Sequence, residues 1–185
     1  MADPIAIGRS PVEDVAAFAG PRTLSMLPPM TRLNFRGRIS TVGRVAAAFG
    51  VEPAMEPCRA ASNGERAALW LGPDEWLLLA KEGEASSIID LLEKALEPLP
   101  HSLVDISHRH TGLKLTGDRA SLILNSGCPL DLSLNAFPVG MCTRTLLEKA
   151  EIILWRIEEN AFQIEVARSF VPYVVRFLGQ AERDL

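Results

Sequence analysis

The sequence predicts an α+β fold in one domain, and three observations predict it. Strand-like and helix-like segments are mixed along the chain without the regular βαβα alternation of a parallel sheet. Two strand-like pairs close on short turns, "LGPDE" and "EEN". The length of 185 residues suits a single domain that buries a core without staples.

Residues 1–30 carry Pro4, Pro11, Pro21, Pro28 and Pro29, and proline restricts both its own φ and its predecessor's backbone. An extended N-terminal arm is expected there, with one short helix over "PVEDVAAFAG". Ile5, Ile7, Phe18, Leu24, Met26, Leu27 and Met30 are apolar, so the arm is expected to pack on a surface, its own or a partner's. The folded domain is expected over residues 31–185.

In "TRLNFRGRIS", Leu33, Phe35, Gly37 and Ile39 alternate with Arg32, Asn34, Arg36 and Arg38, the period of a half-buried strand. With the apolar set inward, Arg32, Arg36 and Arg38 form a stripe on the outer face. Such a stripe is either solvated or a docking surface for partner carboxylates, since arginine is enriched at interfaces. "TVGRVAAAFG" reads as a helix capped by Ser40 or Thr41 and ended by Gly50. "VEPAMEPCRAASNGE" reads as a loop.

"RAALWLGPDEWLLLA" reads as a hairpin turning at Pro73 and Asp74, and both strands are apolar on both faces. A helix over 87–96 follows, with Ser87 and Asp90 spaced as a capping box. "SLVDIS" and "TGLKLTG" are two extended segments separated by "HRH". Asp118 caps a short helix, "RASLILNSG", and "CPLDLSLNAFPVGMC" is irregular. "TRTLLEKAEIILWRIEENAFQIEVARSF" reads as strands. The last helix starts after Ser169, carries Pro172 in its first turn and stops at Gly179.

Function classes narrow next. A net charge of -4 offers no overall basic field for nucleic acid or an anionic membrane. Three cysteines, none in a CxxC, fit a reduced, cytoplasmic protein. The N-terminus has acids and prolines where a signal peptide needs an apolar run. No apolar stretch approaches the ~18 residues of a membrane helix.

The candidate chemistry centres on "DISHRH", where Asp105, Ser107, His108, Arg109 and His110 adjoin. On a strand, His108 and His110 point the same way and provide two metal ligands, but catalytic zinc needs a third. His101 lies across a bend and Asp105 has the opposite parity, so a polar turn is favoured over a metal site. Ser107 beside His108 is sequence adjacency, whereas triads join residues distant in sequence. No GxSxG, GxGxxG or GxxxxGK[ST] occurs. Cys142 near Arg144 is a weak signal for a lowered thiol pKa. Asp131 and Arg168 sit in apolar context and are expected to make buried hydrogen bonds or ion pairs. No catalytic, cofactor-binding or metal residue is assigned, and Arg32, Arg36 and Arg38 are the candidate partner interface.

"LGPDEWLLL", "GCPLDL", "RTLLEKAEIILWR" and "RSF", in that order, resemble the gamma subunit family of heterotetrameric sarcosine oxidase over roughly residues 31–180. "DISH" with "LTGDRASLIL" is similar to the folate-binding domain of aminomethyltransferases, where a DVSH-type turn leads into the central strand. The resemblance implies a complex that oxidises sarcosine to glycine with oxygen. It yields hydrogen peroxide and passes the one-carbon unit to tetrahydrofolate as 5,10-methylenetetrahydrofolate. It further implies alpha, beta and delta subunits as partners, with FAD, FMN, NAD, tetrahydrofolate and zinc carried by them and none by this chain. Gamma then has a structural role, docking on alpha, and no folate contact is carried over to a residue here. Two alternatives stay open: a stand-alone folate-binding or aminomethyltransferase-like protein, and a gamma-like subunit of a related N-methyl amino acid dehydrogenase.

Overall fold

The computed structural model describes residues 23–185. Among the described residues, ten strands form two five-stranded sheets stacked face to face, and four helices lie as a pair outside each. The first sheet runs β3 (Ala60–Asn63), β4 (Arg66–Gly72), β5 (Glu75–Lys81), β2 (Met30–Gly37) and β6 (His101–Asp105). The second runs β8 (Cys142–Leu147), β9 (Ala150–Glu158), β10 (Ala161–Ala167), β7 (His110–Thr116) and β1 (Leu24–Met26). Every strand pair is antiparallel. Mixed strands and helices give the α+β class expected from the sequence.

The period of two along each strand divides its side chains between an outer and an inner layer. Leu33, Phe35, Trp76, Leu78 and Ala80 face out, against Val45 and Phe49 of α1 (Ile39–Phe49) and Ile88 and Leu92 of α2 (Ala85–Leu96). Phe162, Ile164 and Val166 face out of the second sheet, against α3 (Ala120–Asn125) and α4 (Val171–Asp184). Between the sheets lie Ala67, Leu69, Leu77, Leu79, Cys142 and Ile153. The β4–β5 hairpin, turning at Pro73 and Asp74, is therefore covered on both faces, as its doubly apolar sequence requires.

Several local expectations are corrected. Ile39 does not face the core; it opens α1 and is 72% exposed, because the chain leaves the sheet at Gly37. Neither Ser40 nor Thr41 caps that helix, since Thr41 Oγ1 turns back to donate to the Arg38 carbonyl. Ser87 likewise donates to the Glu84 carbonyl, and α2 begins at Ala85 without the expected capping box. The loop before β4 contains β3, which its small and polar residues did not signal. Arg119 rather than Asp118 holds the N-cap position of α3, and Asp118 accepts from Asn160 Nδ2. Gly179 does not end α4; it is buried inside the helix, which runs on to Asp184. The helix expected over "PVEDVAAFAG" lies outside the described residues. Within the expected arm, Leu24–Met26 is a strand paired to β7, so its end is built into the second sheet.

Candidate functional site

The chain crosses between the sheets twice at the same side, at Leu27–Pro29 from β1 to β2 and at Ile106–Arg109 from β6 to β7. The second crossing is the "DISHRH" stretch. Asp105 Oδ1 accepts from the Ser107 backbone N–H at 2.8 Å and from its hydroxyl at 2.6 Å. These two donors hold the Asp105 carboxyl below its ordinary value. Ser107 Oγ in turn accepts the Arg32 backbone N–H at 2.9 Å, and Ile106 N–H donates to the Arg32 carbonyl at 2.8 Å. The hydroxyl that a triad would need is spent on pinning the crossing to β2, and it faces Asp105 rather than His108. The stretch is a bend leading into β7, which flanks the central strand β10 rather than being it.

The histidines are separated by the same bend. His108 lies in the turn, where its carbonyl accepts from Arg168 at 3.4 Å. His110 opens β7 half-buried, and its Nδ1 is buried without a hydrogen-bond partner. Burial pushes its pKa below the ordinary histidine value, against a smaller opposing pull from Glu165. His101 is at the start of β6, with Nδ1 2.8 Å from the Leu99 carbonyl and Nε2 3.2 Å from Glu93. Among the described residues no group of three His, Cys, Asp or Glu is arranged to hold a metal.

The main polar cluster lies deeper, between the sheets. Arg32 does not join an outer stripe: its side chain is 2% exposed and Nε donates to Glu165 Oε2 at 2.6 Å. Gln163 Nε2 donates to Glu165 Oε1 at 2.8 Å, and Arg32 also donates to the Met30 carbonyl at 3.1 Å. Gly112 makes room for this pair. A Cβ there would sit 2.9 Å from Glu165 Oε1 and 3.0 Å from Arg32. The face of β2 opposite its apolar residues is thus covered by the second sheet, which removes Arg32 from solvent and from the expected partner interface.

Toward the rim, Asn34 Nδ2 donates to Glu75 at 2.7 Å, and Arg144 of the second sheet donates to both oxygens of the same carboxylate. The Arg144 guanidinium is the main cause holding Glu75 below its ordinary value, and Glu75 raises Arg144 in return. Arg36 is exposed and paired with Asp74 at 3.1 Å, and Arg38 is exposed at the start of α1. A cleft of ≈ 460 Å³ opens at the crossings beside Arg32, Ser107, His108 and His110. Another, of ≈ 350 Å³, opens between the sheets beside Asn34, Glu75, Arg144 and His110.

Sequence reasoning missed Arg156. It is 2% exposed, lies 4.6 Å from the Phe162 ring centre and donates to the Phe137 and Leu132 carbonyls and Ser121 Oγ. It ties the irregular 128–141 segment to β9; the one sequence signal was a cation inside the apolar run "EIILWRI". Asp131, expected to be buried, is exposed and accepts the Ser133 N–H at 2.8 Å within its own turn, because the segment runs over the surface. Arg168 is half-buried. Cys142 is not activated by Arg144: burial pushes its thiol up to about 12.

The comparisons with known proteins converge. The sarcosine oxidase, gamma subunit family model matches residues 40–184. The sarcosine oxidase subunit gamma of Corynebacterium sp. (strain U-96) is 35% identical, covering 98% of this chain and 93% of that protein. The subunit gamma of Arthrobacter sp. is 32% identical over 94% and 89%. A chain of the solved heterotetrameric sarcosine oxidase from Corynebacterium sp. U-96, in complex with pyrrole 2-carboxylate, superposes with a TM-score of 0.85 over 96% of this chain and 95% of that one. The glycine cleavage system aminomethyltransferase T of Bartonella henselae, 16% identical, shares the fold with a TM-score of 0.64 over 87% of this chain and 48% of that one.

Proposed function

This chain belongs to the sarcosine oxidase gamma subunit family, and from that premise we propose that it works as the non-catalytic gamma subunit of a heterotetrameric sarcosine oxidase. The complex oxidatively demethylates sarcosine to glycine, with hydrogen peroxide and 5,10-methylenetetrahydrofolate as the other products. FAD, FMN, NAD, tetrahydrofolate and zinc belong to the alpha, beta and delta subunits, and this chain contributes a surface docked on alpha. The assembly is cytoplasmic; among the described residues no helix is long and apolar enough to cross a membrane. On this reading residues 31–185 form a single domain that also takes in β1, the strand paired to β7.

The observation that carries the reading is the near end-to-end match, in sequence and in shape, to a subunit of a heterotetrameric oxidase. The disposition of polar groups supports it. Arg32, Glu165, Gln163, Arg156 and Asp105 are committed to partners within the chain, holding crossings and sheets in place. Arg36 and Arg38 remain at the surface, where Arg36 shares an exposed carboxylate and stays accessible to a partner's.

Tagged protein purified from its native cell tests this directly. It should bring down three further chains, a flavin spectrum and sarcosine-dependent peroxide formation, while the isolated chain is colourless and inactive. A chain that purifies alone and binds tetrahydrofolate tightly would instead be a stand-alone folate protein. The Arg36→Glu, Arg38→Glu double reversal, co-expressed with the other subunits, should slow assembly and weaken its salt dependence. Unchanged assembly at low and high salt would place the docking surface elsewhere.

A further inference from the structure

We propose that Cys58 and Cys142 form a redox pair that a peroxide-class oxidant converts into a disulfide, clamping the two sheets together at the edge opposite the chain crossings. The backbone sets up the pair. Arg59, at the entrance to β3 of the first sheet, forms an antiparallel bridge with Met141, at the entrance to β8 of the second. Ala60 N–H donates to the Gly140 carbonyl at 2.8 Å and Cys142 N–H to the Cys58 carbonyl at 2.9 Å. One step along from the 59/141 bridge, that Cys142 N–H bond to the Cys58 carbonyl sets the two residues side by side, with Cys58 already turning out of the strand. Antiparallel partners joined by a hydrogen bond have Cα atoms about 5.5 Å apart. That lies within the roughly 4.4–6.8 Å span of a disulfide.

The environments assign the roles. Cys58 is half-exposed and holds a left-handed backbone at φ 60, while Cys142 is fully buried between the sheets. The oxidant therefore reaches Cys58 first. After burial, which dominates, a charge on Cys58 is among the influences that raise the Cys142 thiol, so the two sulfurs feel each other. The Cys58 thiolate attacks a peroxide oxygen, the O–O bond breaks, and a sulfenic acid and water result. The Cys142 thiol then attacks the sulfenic sulfur; the S–S bond forms, the S–O bond breaks, and the thiol proton leaves with the oxygen as a second water. Two thiols and one hydrogen peroxide give one disulfide and two waters. The remaining cysteine, Cys128, lies in the core on the far side of the second sheet, beside Thr145, and takes no part. Inside a reducing compartment the bond is transient, so the clamp reports oxidant exposure.

The purified full chain, treated with hydrogen peroxide, alkylated with N-ethylmaleimide and digested without reduction, provides the test. Free thiols should fall from three to one. One linked peptide should join Cys58 to Cys142, dithiothreitol should reverse it, and Cys128→Ser should leave it unchanged. The oxidised chain should melt roughly 5–15 °C higher than the reduced one, as expected for closing a long loop in a domain of this size. Cys58→Ser should keep Cys142 a free thiol throughout. Sulfinic acid at Cys58 with Cys142 unoxidised, a Cys58-linked dimer, or three thiols surviving the oxidant would each overturn the proposal.

Discussion

The two sides of the layer between the sheets are built from opposite materials. Where β4 and β5 meet β8 and β9, the contact is Ala67, Leu69, Leu77, Leu79, Cys142 and Ile153. Where β2 meets β10 and β7, it is Arg32, Glu165 and Gln163, with Asn34, Glu75 and Arg144 continuing to the rim. The apolar side is non-directional and scales with the area removed from water. The polar side has one bonded arrangement, because a buried guanidinium without its carboxylate is strongly destabilising. The first holds the sheets together, and the second fixes how they are placed and where the chain crosses between them.

The largest effect expected from breaking this contrast is on the polar side. Glu165→Leu leaves Arg32 buried without a counter-charge and should cost about 3–5 kcal/mol in denaturant unfolding. Adding Arg32→Met should restore most of that, because an apolar pair of similar volume tolerates the site. A Glu165→Leu chain within about 1 kcal/mol of wild type would mean that water already reaches the pair. On the apolar side, Ile153→Val trims one methylene and should cost about 0.5–1.5 kcal/mol, with nothing for a second substitution to rescue.

Smaller effects belong to the rim. Arg144 is 40% exposed, so Arg144→Met should cost less than about 1 kcal/mol, and salt should shrink the difference further. A loss matching that of Glu165→Leu would put the whole polar side under one rule. His110 supplies the pH arm. Its folded pKa lies below the ordinary 6.5 because burial disfavours the imidazolium. The unfolded chain therefore binds a proton that the folded chain refuses, and stability falls as pH drops from 6.5 toward the folded value. His110→Gln should remove that slope, at most about 1.4 kcal/mol per pH unit. An unchanged profile below neutrality would assign the acid sensitivity to other groups.

How far the sequence could be read follows from the same layer. The β4–β5 hairpin was legible because Pro73 and Asp74 mark the turn and both flanking runs are apolar on both faces. The bend at "DISHRH" was legible by counting ligands. The Arg32–Glu165 pair was not, although "TRLNFRG" and "FQIEV" both alternate correctly. Alternation distinguishes two faces of a strand, but it does not distinguish water from a second sheet whose inner face is also polar. Arg156 escaped for a different reason, since its partners are backbone carbonyls in an irregular segment about which period and composition are silent. Gly179 read as a helix stop because glycine commonly ends helices, while here core packing continues beyond it at Ala181 and the helix runs on.

On the proposed function, the polar residues gathered in this chain hold its architecture while the chemistry takes place on other subunits. The most direct measurement is sarcosine turnover by the assembled complex carrying the charge-free Arg32→Met, Glu165→Leu chain. Normal assembly and turnover within a few-fold of wild type are expected. An intact complex that loses ~100-fold or more, the scale of removing a general acid or base, would contradict it and make the buried pair part of the reaction.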